Sequence, residues 1–253
     1  MTTLLAVDVG NTTTAFGLFR DDTLEHHWGI TTHDRTADEY LISIDAMLGR
    51  LGVDPGAAII SSVVPSTVGA VRRAVTRLVQ GKVVQVGPGI RTGLPIDLDN
   101  PREVGADRVA NAVAAVSLWG APVITVDFGT ATTVDLVDAA GRFVGGAIAP
   151  GVRISADALI DATSSLRDVD LVTPSRVVGR STVEAIQSGL TYGFVGLVDG
   201  LVGRVRSAHD LPADTPVVAT GGLATVLSPL SSTIGVVEES LTLLGLRVIF
   251  ERN

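Results

Sequence analysis

Asp8 is the first residue of this chain whose surroundings suggest chemistry. It follows an apolar run, Leu4 to Val7, and precedes Val9, Gly10, Asn11, Thr12, Thr13 and Thr14, after which the chain turns apolar again from Ala15. A carboxylate at the end of a buried strand is costly unless a cation or hydrogen-bond donors meet it. Gly10 lets backbone approach a ligand closely, and Asn11 with the threonines offers N–H groups and hydroxyls on one side of a turn. Such a strand, turn and strand can hold a phosphate chain. The same residues also suit an ordinary hairpin.

The pattern occurs twice. Residues 123–138, VITVDFGTATTVDLVD, align with the opening stretch so that Asp127 matches Asp8, Gly129 matches Gly10, and Thr132 and Thr133 match Thr13 and Thr14. Keeping both the carboxylate and its apolar flank points to one fold half used twice. Two acidic turns facing each other across a cleft would cage a metal-bound nucleotide. A third acid, Asp107, stands with Arg108 in REVGADRVANAVAAVSLWG, where Val104, Val109, Ala112, Val113 and Val116 recur at helical spacing. This places both charged residues in the first turns of a helix. Asp107 there either complements the helix dipole or acts as a base, with Arg108 gripping an anion; spacing leaves both readings open.

The elements that must position these residues can be read in order. After the first hairpin come a strand at Glu25–Thr31, a helix opened by Thr36 to Glu39 and running to Leu51, a buried strand at Ala57–Val64, a helix at Val68–Val79 and a strand at Lys82–Val86. A loop rich in Gly and Pro, 86–101, leads to the Asp107 helix. The second half starts with its hairpin and continues with a strand at Phe143–Ala149, a turn at Pro150 and Gly151, and a helix at Val152–Ile160. The glycines of GGAIAPG, Gly145 to Gly151, suit either a close approach to a ligand or tight strand packing. Ser181 with Glu184 caps a long helix to about Val205, with Thr182 just inside its start. A strand at Val217–Thr220 runs into Gly221 and Gly222, and a last helix, Ser240–Glu251, is expected to close the second sheet. This order predicts an α/β protein with mixed sheets flanked by helices, in halves 1–115 and 116–253.

Composition narrows the function. With 46% hydrophobic and 18% charged residues over 253 positions, the chain can bury a sizeable interior. A net charge of −8 and a pI near 4.9 argue against non-specific nucleic-acid binding. The absence of cysteine excludes a disulfide framework, thiol catalysis and Cys-ligated zinc. The N-terminal apolar run has no basic lead and is interrupted by Asp8, so a cytoplasmic location is expected. The longest uncharged run, Thr215–Val237, could span a bilayer by length, but Gly221, Gly222 and Pro229 break it into strand, turn and loop.

These motifs together resemble the type III pantothenate kinases, within the superfamily of acetate and sugar kinases, Hsp70 and actin. The likeness runs nearly end to end through DVGNT (8–12), SSVVPS (61–66), TGLP and DNPREVGADR (between 92 and 108), DFGTATT (127–133), GGAIAPG (145–151), TVEAIQSG (182–189) and ATGGLA (219–224). It implies duplicated ribonuclease H-like, actin-like ATPase halves and ATP-dependent phosphorylation of the primary hydroxyl of pantothenate, the first step toward coenzyme A. Carried over, it has Asp8, Val9, Gly10, Asn11, Thr12, Thr13, Thr14 and Ala15 hold the ATP phosphates, with Asp8 on Mg²⁺ and Thr130 also on ATP. Asp107 becomes the general base; Gly105, Ala106, Arg108 and Thr182 join it in binding pantothenate. Asp127 would ligate a monovalent cation, K⁺ or NH₄⁺. The family also implies a homodimer. One position departs, since Leu98 stands where many members have a tyrosine just before DNP. The alternative is an ATP-binding regulatory protein of the same fold without small-molecule kinase activity, and a sugar or acetate kinase is a third reading.

Overall fold

The computed structural model describes residues 3–162 and 169–253. Its strands are β1 (Thr3–Val9), β2 (Thr13–Arg20), β3 (Thr23–Thr31), β4 (Ala57–Ser62), β5 (Val83–Gln85), β6 (Val123–Phe128), β7 (Ala131–Val137), β8 (Phe143–Pro150), β9 (Val217–Thr220) and β10 (Val236–Val237). Its helices are α1 (Ala37–Leu51), α2 (Pro65–Leu78), α3 (Ala106–Trp119), α4 (Val152–Asp161), α5 (Thr182–Ala208), α6 (Ala224–Leu227) and α7 (Leu241–Glu251). Contacts divide the chain into two units: one of Met1–Pro95, Asp99–Ser117 and Ser240–Asn253, the other of Ile96–Leu98 and Leu118–Glu239.

The duplication is explicit in the sheets. The first has strand order β3-β2-β1-β4-β5; the second, read from its far edge, has β8-β7-β6-β9-β10. In each, three antiparallel strands meet two parallel ones at the strand that carries the acid. The pairing register also corrects the alignment read from sequence. Asp8 faces Ala15 and Val9 faces Thr14, whereas Asp127 faces Thr133 and Phe128 faces Thr132. Thr132 therefore corresponds to Thr14 and Thr133 to Ala15, because the first turn holds one more residue than the second. Side-chain alternation reports the same shift, since Thr14 and Thr132 are both buried.

In the first unit, β1 is buried on both faces and needs cover on each side. On one side Tyr40, Ile44 and Leu48 of α1 and Ala70, Val71, Ala74 and Val75 of α2 pack with Leu5, Val7 and Phe16. Helix α1 starts where Thr36 and Glu39 cap each other, Glu39 Oε2 accepting from the Thr36 N–H at 2.7 Å. Helix α2 starts at Pro65, earlier than the sequence reading placed it, because proline's fixed φ suits the first helical position.

The last helix is a correction. It was expected on the second sheet, but α7 packs on β1, β2 and β4 of the first, where its buried Leu241, Leu246 and Ile249 face the sheet side that α1 and α2 leave open. It also anchors α3. Thr242 Oγ1 donates to the buried Asn111 at 2.7 Å, and a Cβ on Gly245 would run into the Ala110 carbonyl. Gly245→Ala is therefore expected to cost about 1–3 kcal/mol, read as a lower urea midpoint with unchanged slope. A midpoint equal to the parent's would show that the two helices can separate freely.

In the second unit, Leu190, Val195, Val198 and Val202 of α5 pack with Ile124, Val126, Val134 and Leu136. Among the described residues α5 is the one helix long and apolar enough to cross a membrane, a test that core helices also pass. Residues 215–237 contain the strand and glycine turn read from the sequence, but where a loop was expected α6, a 3₁₀ turn at Ser228–Leu230 and the strand β10 follow. Asp199 projects from α5 and accepts from Ser231 Oγ (2.5 Å), the Ser232 N–H (2.9 Å), Ser232 Oγ (2.7 Å) and Thr233 Oγ1 (2.7 Å). Burial alone would raise its pKa, but these donors outweigh it and hold the carboxyl at about 2. Residues 96–98 are fastened to the second sheet by the Asp97 N–H on the Phe143 carbonyl and by Arg142 on Asp97, both at 2.8 Å.

Candidate active site

Asp8 ends the apolar part of β1 and is half-buried between two neighbouring strands. It lies between Ala15 on β2 and Ser61 on β4, and Ser61 Oγ donates to Asp8 Oδ1 at 2.5 Å. Burial raises the Asp8 pKa to about 6; the Ser61 bond opposes the rise and the negative charge of Asp107 adds to it. The first unit thus brings two of the acids into electrostatic contact.

The turn after Asp8 is closed by the Gly10 N–H on the Thr13 carbonyl at 3.1 Å. Asn11, Thr12 and Thr13 are exposed, whereas Val9 and Thr14 are buried and Ala15 is half-buried. Thr14 Oγ1 bonds Thr32 Oγ1 at 2.9 Å, and Val9 packs in the core. Both can meet a ligand only through main chain. Residues 11–13 are the part of the turn exposed enough to meet anionic oxygens.

Asp107 sits in the first turn of α3, as its spacing predicted. Its Oδ1 accepts from the Arg108 N–H at 2.8 Å, and the carboxylate folds back over Gly105, where a Cβ would collide with it. Gly105, Ala106, Asp107 and Arg108 are all half-buried, so none is a freely solvated surface group. The dipole-complementing position and an electrostatic effect on Asp8 are both present.

In the second unit Asp127 occupies the equivalent place, between Thr133 on β7 and Thr220 on β9. Its Oδ1 is crowded by the turn that follows β9. Gly221 has φ +90°, and a Cβ there would strike both that oxygen and the Phe128 backbone, so only glycine fits. Gly129 lies beside the same oxygen and Thr130 is exposed, its carbonyl accepting from the Gly151 N–H at 3.1 Å. Glycines 221 and 222 form a strand-to-helix turn into α6. Of GGAIAPG, Gly146 serves the close approach of β8 to β7 beside the buried Asp135, and Gly151 precedes α4. Thr182 is exposed at the first position of α5, behind the Ser181 cap, which accepts from the Glu184 N–H at 3.2 Å. Leu98 is half-buried against Gly145.

Ser61 was not singled out by sequence reasoning, although SSVVPS was. The available signal was a serine in a strand, Ala57–Ser62, otherwise too apolar to hold an unbonded hydroxyl. Among the described residues no three His, Asp or Glu side chains cluster as a metal site. Asp8 and Asp127 are each single hard-oxygen donors. This suits cations that take most of their ligands from phosphates and water.

A sequence model of the type III pantothenate kinases matches residues 4–204. Type III pantothenate kinase from Syntrophotalea carbinolica is 50% identical over 254 residues, covering 99% of each chain. That of Streptomyces avermitilis is 50% identical over 261 residues, covering 99% of this chain and 98% of its own. Among solved structures, the activator of 2-hydroxyisocaproyl-CoA dehydratase from Clostridium difficile, with bound ADPNP, aligns with TM-score 0.59 at 13% identity over 99% of this chain and 96% of its own. The ROK hexokinase from Thermus thermophilus aligns with TM-score 0.51 at 14% identity, covering 98% of each chain. At such identities the structural likenesses speak for the fold, two ribonuclease H-like halves, and not for a substrate.

Proposed function

The chain belongs to the type III pantothenate kinase family, and from that premise we propose how its residues divide the work. The reaction is ATP-dependent phosphorylation of pantothenate, in coenzyme A biosynthesis. In our reading Asp107 is the general base. Its carboxylate accepts the proton of the primary hydroxyl as that oxygen bonds to the γ-phosphorus of ATP, the bridging P–O bond breaks and ADP leaves. The observation that supports this most is the half-buried Asp107 at the start of α3, close enough in the first unit for its charge to act on Asp8.

The turn from Asp8 to Ala15 holds the phosphates, chiefly through Asn11, Thr12, Thr13 and main-chain N–H groups, and Thr130 adds a contact to ATP. Gly105, Ala106, Arg108 and Thr182 bind pantothenate, Arg108 matching the carboxylate of the substrate. Asp8 would hold Mg²⁺ and Asp127 a monovalent cation, K⁺ or NH₄⁺. Bound there, such ions neutralise phosphate charge as the phosphoryl group moves. Leu98 keeps an apolar surface beside Gly145 without a hydroxyl.

Incubation with ATP, Mg²⁺ and K⁺ and a panel of pantothenate, hexoses and acetate tests the reading. ADP release with pantothenate alone is expected. Release with a hexose or acetate instead, or ATP binding with no acceptor-dependent release, would replace it with the sugar-kinase or the regulatory reading.

We also propose a homodimer. The family resemblance implies it, and Ile148, Ile154, Val177 and Val178 of the second unit are exposed apolar side chains that a second copy could cover. Light scattering should give about twice the 26.1 kDa chain mass. A mass of one chain at micromolar concentration would reject the dimer.

A further inference from the structure

Ser61 has no part in the roles above, yet it is fully buried in a strand whose other inner residues are Ala57, Ala58, Ile59 and Ile60. A buried hydroxyl needs a partner, and the parallel register of β1 and β4 sets Ser61 beside Asp8. Its Oγ donates to Asp8 Oδ1 at 2.5 Å, the one hydrogen bond to that carboxylate among the described residues. The duplicated half serves as an internal control. There the same register sets Thr220 beside Asp127, but Thr220 Oγ1 donates to the Glu239 carbonyl at 3.4 Å. Strand pairing by itself does not require the hydroxyl to grip the acid.

We propose that Ser61 is a positioning residue for Asp8, tying down Oδ1 so that Oδ2 is presented to the divalent cation of the nucleotide complex. This rests on the reading of Asp8 as the ligand of that cation. A small cation that keeps several waters takes one oxygen of a carboxylate in near-octahedral geometry. A carboxylate already fixed by a second hydrogen bond loses less freedom on meeting it, and partners of this kind typically change metal affinity 10- to 100-fold.

The test is Mn²⁺ binding in the presence of ADP, followed by electron paramagnetic resonance, together with steady-state kinetics. Ser61→Ala should weaken Mn²⁺ affinity about 10- to 100-fold and raise KM for Mg·ATP, leaving KM for pantothenate unchanged. Ser61→Thr, which restores the hydroxyl, should recover most of the affinity. Ser61→Cys, similar in size with a weak donor, carries the same expectation as Ala where the latter does not fold. Asp8→Asn is measured alongside. If Asp8→Asn binds Mn²⁺ like the parent, the reading of Asp8 falls and Ser61's role with it. If Asp8→Asn loses binding while Ser61→Ala and Ser61→Cys do not, the positioning role alone is overturned. A parallel loss of thermal stability, Mn²⁺ affinity and pantothenate KM, unrelieved by Thr, would overturn it too, since that is how packing damage looks.

Discussion

Asp107→Asn lowers kcat by about 10²- to 10⁴-fold while Mg·ATP affinity and thermal unfolding stay close to the parent's, because a positioned base contributes a factor of that size and little else is removed. The amide is nearly isosteric and its oxygen can still accept from the Arg108 N–H, as Asp107 Oδ1 does at 2.8 Å. The start of α3 therefore keeps its geometry. What the amide lacks is a site for the proton of the alcohol. The substitution also deletes the negative charge that helps raise the Asp8 pKa, so that carboxyl should titrate lower in the variant. A kcat within a few-fold of the parent's would remove Asp107 from the role of base. A large loss of Mg·ATP affinity would mean that the residue serves the nucleotide instead.

Asp8→Asn is expected to act in two opposite directions. Turnover should fall at least about 100-fold, as when a preorganised group facing transition-state charge is removed, and Mg·ATP should no longer raise the melting temperature. The empty protein, in contrast, should become more stable above pH 6. The sign follows from the pKa. Asp8 is raised from 3.8 to about 6 in the folded chain, so the native state holds a proton in that window which the unfolded state has released. The group's contribution to stability is fully present below about pH 4 and is lost as pH rises through 6. Above that, ionised Asp8 costs the empty fold on the order of 3 kcal/mol. Asparagine is neutral throughout and can still accept from Ser61, so the variant should melt several degrees higher at pH 7.5, with the difference vanishing near pH 4. Equal melting temperatures at pH 7.5 would mean that the carboxylate is better solvated than its burial suggests. The site residue would then be a load on the unliganded fold that its ligand relieves.

How much of this was legible in sequence varied with range. Local signals were strong where one residue type has one physical use. Thr36 and Glu39 cap α1, Ser181 caps α5, and Val217–Thr220 is a strand with the bounds read for it. The repeated acid-bearing hairpins gave the duplication and placed Asp8 and Asp127 near the ends of their strands, and helical spacing placed Asp107 in the first turn of α3. Three things failed for non-local reasons. The turn-length difference between the hairpins is invisible in a gap-free alignment, and a one-residue shift exchanges which threonine is buried. The apolar stripe of α7 announces a buried face but not the sheet that buries it, and the nearer sheet in sequence was the wrong one. Ser61 matters only through its register with Asp8, fifty-three positions away, and no spacing rule reaches that far.

The placement of α7 also bears on how the chain comes to be made. The ribosome releases β1, β2 and β4 early, yet the apolar side of that sheet stays bare until residues 240–253 emerge. Residues 118–239 are complete before then and can settle first. Contrary to the usual order in which amino-terminal regions mature ahead of the rest, the half synthesised first is the last to be finished, and its exposed sheet is the surface a chaperone would have to shield during translation.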